Sequence, residues 1–224
     1  MKSYSIDVKP LRLADAARWD WDTGAPSFYT GWRSVTVDPF PAYPHDVAVI
    51  NAVAAKVAVR FAPGYDVTIY LADREATSRS NAHAERLKKW DGKEYTETAG
   101  VIFVSGKRIP PHPAVTRYLV AHEYGHHVEW WLEKLRGLEE DKLIQEYLAL
   151  RELDTQVGGG GVWHKAAQEV FACDFRVLVA DVEPEYWPHA GVLRPGEVPA
   201  IREWWSQAVA EWTARAAAPT ETEA

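Results

Sequence analysis

The segment Ala121-His122-Glu123-Tyr124-Gly125-His126-His127-Val128 decides how this chain is read. His122 and His126 are four residues apart, and on an α-helix residues at that spacing lie one above the other. Two imidazoles so placed can grip one zinc ion from a single turn. Glu123 is rotated to the side, where it can reach a water beside the metal without ligating it. Around the motif, Ala121, Tyr124, Val128, Trp131 and Leu135 recur at three- and four-residue steps. That spacing predicts an amphipathic helix with the histidines off its apolar face, and Gly137 is a natural stop. Gly125, without a side chain, lets another element approach closely beneath the metal. His127 is one step, about 100°, from His126 and does not share the metal easily, so it reads as a surface or supporting residue.

A catalytic zinc takes three protein ligands and keeps one position open. A third histidine ten residues after the first is excluded, because that position is Leu132. The remaining choice is a carboxylate on a later helix. Glu169, in Gln168-Glu169-Val170-Phe171-Ala172-Cys173-Asp174-Phe175, is the first candidate, since a carboxylate among apolar residues needs a partner. Asp174 is the competitor, five residues on and on a different side of that helix. Glu129, Glu133 and Glu146 read as solvated helix charges. His45, His83, His112 and His189 carry no motif and read as structural.

Outward from the motif, the chain divides into a mixed first half and a helical second half. Ser34–Asp38, Val67–Leu71 and Gly100–Val104 read as strands, and Asp46–Phe61 as a helix after Pro44. Arg79–Trp90 reads as a loop or surface helix, with Arg86-Leu87-Lys88-Lys89 on its solvated face. Beyond Gly137, helices are expected over Leu138–Leu153, Trp163–Val179 and Ala200–Ala216, with a flexible run at Gly158–Gly161 and a Pro-rich stretch at Glu183–Pro199. The expected fold class is α+β, a small twisted mixed sheet packed on the active-site helix. It forms one domain over residues 1–216, mixed over 1–110 and helical with the metal site over 111–216. A disordered tail occupies 217–224.

Composition narrows the function. The 224 residues carry 25 basic and 32 acidic side chains, a formal charge of −7, which phosphate backbones repel, so no nucleic-acid partner is expected. No run approaches the roughly 20 apolar residues of a membrane span. A single cysteine, Cys173, rules out an intrachain disulfide, and no secretory signal opens the chain; both fit a cytoplasmic setting. The eleven tryptophans read mainly as core and groove wall.

His122-Glu123-Tyr124-Gly125-His126 followed by Glu169-Val170-Phe171-Ala172-Cys173-Asp174-Phe175 resembles the gluzincin metallopeptidases, in particular the group of the anthrax lethal factor catalytic domain and the Pro-Pro endopeptidases. The likeness spans mainly residues 100–180. It implies a zincin-like fold, one Zn²⁺ per chain on His122, His126 and Glu169, and Glu123 as general base. It also implies a protein or peptide substrate held along an edge strand at Gly100, Val101, Ile102, Phe103 and Val104. Two departures stand out. The family carboxylate four residues after the ligand glutamate, which orients a metal-bound histidine, is Cys173 here, and Asp174 is displaced by one. The tyrosine seven residues before that glutamate, an oxyanion donor, is Val162. His164 is the candidate donor in its place, with Tyr124 and Tyr147 behind it.

Two rival readings are carried. A regulatory peptidase of the ImmA/IrrE type also joins this histidine motif to a later glutamate near Phe-Ala, but usually with an Ala-Asn run where this chain has Glu169-Val170. A non-catalytic protein with a metal-stabilised fold would hold zinc without cleaving anything. A DNA-repair protease of the SprT type is disfavoured by the acidic charge and the lack of a cysteine zinc ribbon.

Overall fold

The computed structural model describes residues 6–11, 17–20, 25–30, 33–36, 48, 51–53, 66–72, 82–90, 95–105, 113–139, 142–153, 167–184, 187–189 and 191–217. Helix outweighs strand among them, and the helical C-terminal half expected from the sequence is present. Two compact units divide the chain. One comprises residues 5–54 and 65–123; the other comprises 1–4, 55–64 and 124–224. The division falls at 123/124, inside the motif helix.

Among the described residues the first unit carries seven strands: β1 (Ile6–Leu11), β2 (Ala17–Asp20), β3 (Ala25–Thr30), β4 (Arg33–Thr36), β5 (Asp66–Ala72), β6 (Ala82–Trp90) and β7 (Tyr95–Ser105). β2, β3 and β4 pair antiparallel in sequence order. The other four run in the order β1-β5-β7-β6, with β1 and β7 parallel to β5 and β6 antiparallel to β7. Val67, Ile69, Ile102 and Val104 are buried, as alternation in half-covered strands requires. Residues 48 and 51–53 are helical within the stretch expected as a helix over 46–61, and the rest of that stretch lies outside the described residues.

Two expectations are corrected here. Ala82–Trp90 is a strand, not a loop or surface helix. Its many charged residues have poor strand preference, and pairing along β7 overrides it. Gly100–Val104 is not an edge. Its backbone pairs with Val67–Leu71 on one side and Ala82–Arg86 on the other, which leaves no ladder groups for a substrate.

The helices are α1 (Pro113–Arg136), α2 (Lys142–Arg151), α3 (Ala167–Leu178) and α4 (Pro199–Ala217). Proline opens α1, where its fixed φ fits and its missing N–H costs nothing. Gly137 closes it at φ +65, its N–H on the Lys134 carbonyl and the Leu138 N–H on that of Glu133. α2 ends in the same pattern, but with Glu152 at φ 53 in the glycine position. The helical unit's core is aromatic: Tyr147, Phe171, Phe175, Trp204 and Trp205 pack edge-on or tilted, with Phe171 and Trp205 centroids 4.8 Å apart. At the end of α1, Arg136 meets Glu211 at 3.0 Å and Arg215 donates to the Leu135 carbonyl at 2.6 Å, both binding α4. No helix among the described residues is long and apolar enough to cross a membrane. The glycine run 158–161 and residues 218–224 lie outside the described residues.

Candidate metal centre

α1 is unbroken through the motif, so His122 and His126 stand one turn apart on one face. α3 brings the third donor. A Cβ added to Gly125 would lie 2.7 Å from the Ala172 Cα and 3.0 Å from its carbonyl oxygen. Only glycine permits that approach, and it sets Glu169, one turn before Ala172, beside His126, one residue after Gly125. The result is a group of three donor atoms, one each from His122, His126 and Glu169, all within 4.8 Å of one another. His126 Nε2 lies 3.7 Å from Glu169 Oε1. Two ligands on one zinc, each about 2.1 Å away at a tetrahedral angle, are separated by roughly 3.4 Å, close to the His126–Glu169 spacing. His122 is buried, while the His126 and Glu169 side chains keep 13% and 19% of their surface, so the group is reachable from solvent. The Tyr118 ring lies parallel to His122 one turn earlier, at 6.5 Å.

Asp174 is placed elsewhere. Five residues from Glu169 it is rotated by about 140° around α3. There it accepts hydrogen bonds from Tyr147 and, at 2.7 Å, from the Arg151 guanidinium; the Trp205 indole in turn donates to the Tyr147 hydroxyl at 3.0 Å. Burial pushes its carboxyl up to about 7, while Arg151 and Tyr147 pull it down. The Cys173 thiol is pushed up to about 12, chiefly by burial, so no thiolate is available to a metal or a histidine.

Comparison with family models, with curated proteins and with solved structures gives no match. The site's own geometry therefore carries the argument.

Several readings of individual residues change. Glu129 and Glu133 are buried, not solvated. Glu129 Oε2 lies 3.9 Å from His126 Nδ1, and its three-residue spacing from His126 was the available signal. His127 is fully buried and packs on Trp130, Trp131 and Tyr124. Tyr124 and Tyr147 are removed as donors to a substrate. The first is fully buried with its phenol pushed far up by burial, and the second is bonded to Asp174 within the core. His189 is buried against Trp187, as a structural histidine. His164 and Val162 lie outside the described residues.

Proposed function

We propose that the protein is a zinc-dependent endopeptidase acting on protein or peptide substrates, with His122, His126 and Glu169 as ligands. The observation that carries this reading is the convergence of those ligand types, two imidazoles and one carboxylate from two helices, with donor atoms within 4.8 Å of one another. Zinc held there would supply Lewis acidity toward a carbonyl and toward water. Glu123 follows His122 on the same helix and does the proton work. It accepts the proton of the attacking water and delivers it to the departing amine. His164 is the donor proposed for the oxyanion.

On this reading the sheet is twisted and packs on α1 in the zincin manner. The strand that receives substrate is then β6. Among the described residues it pairs only with β7, so its outer edge can add an extended peptide through main-chain hydrogen bonds.

A peptide-library digest tests the proposal, run on the zinc-loaded protein, the chelator-treated protein and Glu123→Gln. Cleavage is expected only in the first. Loss of the general base lowers turnover by about 10²–10⁴-fold, with zinc content unchanged. Zinc uptake without any Glu123-dependent cleavage would make the site structural, and cleavage that survives both treatments would overturn the reading.

A further inference from the structure

The His126 ring spans two carboxylates. Its Nε2 faces Glu169 at 3.7 Å, and its Nδ1, on the opposite side of the ring, faces Glu129 at 3.9 Å. If Nε2 gives its lone pair to the ion, Nδ1 must carry the proton, and that N–H can donate to an acceptor held beside it. Asp174 is held by Tyr147 and Arg151 on another side of α3. Glu129 is itself almost wholly buried, with 1% of its surface exposed.

We infer, building on the zinc reading above, that Glu129 is a positioning residue for the metal: it takes the Nδ1–H of His126, fixes the tautomer that presents Nε2, and orients the ring toward Glu169. The 3.9 Å separation is about 1 Å longer than a hydrogen bond. Glutamate has three side-chain torsions, and a small turn about them closes that gap. The charges favour closure. A dication with the Glu169 carboxylate leaves one net positive charge, which the second carboxylate neutralises in a poorly solvated place. Glu129 acts from the histidine's own helix, three residues beyond His126.

Zinc affinity, measured by chelator competition on apo protein shown to be folded by near-ultraviolet circular dichroism, tests this without reference to activity. Glu129→Gln is expected to bind zinc about 10–100-fold more weakly. Glu133→Gln, which removes another buried acid one turn further along α1, is expected to bind as the unsubstituted protein does. An equal loss in both variants would overturn the inference, since the effect would then belong to any buried charge on this helix. Nitrogen-15 imidazole spectra of the unsubstituted zinc-loaded protein give an independent reading that needs no variant. His126 should show a protonated Nδ1 with a downfield, slowly exchanging proton. Metal on Nδ1, or an Nδ1 proton lost rapidly to water, would overturn the assignment. A protein that takes up one zinc but is indifferent to Glu129→Gln defeats this inference alone. One that takes up none defeats the zinc reading with it.

Discussion

α3 carries two carboxylates with opposite circumstances. Glu169 keeps 19% of its side-chain surface and faces the imidazole of His126. Asp174 is fully buried and faces a guanidinium, a phenol and, through the phenol, an indole. The helix is the same and the residues are five apart, so the difference comes from what surrounds each face. Around Asp174 the chain supplies its own cation and donors, which ties α2, α3 and α4 together. Around Glu169 it supplies metal-ligand side chains and access to solvent. A carboxylate answered by arginine is a fastening; one that converges with two histidines is placed where it could hold a metal ion.

The sharpest way to break that distinction is to remove each carboxylate in turn. Glu169→Ala is expected to weaken zinc binding by more than the roughly 100-fold upper cost of losing a supporting partner, with little change in apo stability. Asp174→Ala is expected to cost about 3–5 kcal/mol of stability, because it strands the Arg151 charge in the core, while the folded fraction still takes up one zinc. Equilibrium denaturation and chelator competition on both variants check this. Undiminished zinc binding in Glu169→Ala would remove that residue from the ligand set.

A smaller effect is expected at Gly125, where the two helices meet. Gly125→Ala drives a methyl group into the Ala172 backbone and must part α1 from α3. Destabilisation of about 1–3 kcal/mol is expected, with weaker zinc binding as Glu169 moves off His126. A variant as stable as the parent and unchanged in affinity would show that the close approach does not position the ligand.

A pH-dependent effect concerns the fastening alone. Burial raises the Asp174 carboxyl to about 7, above the roughly 3.9 of an unfolded aspartate. Its favourable contribution is therefore complete below about pH 4 and is lost as pH rises through about 7. Measured in chelator, the stability of Asp174→Asn relative to the parent should improve with rising pH across that window, by at most about 1.4 kcal/mol per unit. A flat difference would mean that Arg151 holds the aspartate ionised throughout.

The sequence by itself determined the motif helix, its stop at Gly137, the placing of His122 and His126 on one face, and Glu169 as the leading partner from a later helix. All of these rest on spacing along one helix, and the 3.6-residue turn makes such spacing legible without knowledge of any neighbour. It also located three strands, expected over 34–38, 67–71 and 100–104, of which residues 34–36, 67–71 and 100–104 are described as strand. Tertiary structure alone decided the rest. Whether Glu169 or Asp174 turns toward His126 depends on how α3 is rotated, and the contact of Ala172 on Gly125 sets that rotation. Glu129, Glu133 and His127 look like surface residues in sequence because burial is a property of what packs over them. β6, rich in charge, becomes a strand only by pairing with β7, and the same pairing moves Gly100–Val104 from the edge to the interior. Periodicity is local and so is written in the chain; partners across a sheet or between helices are chosen by contacts distant in sequence, which no local pattern encodes.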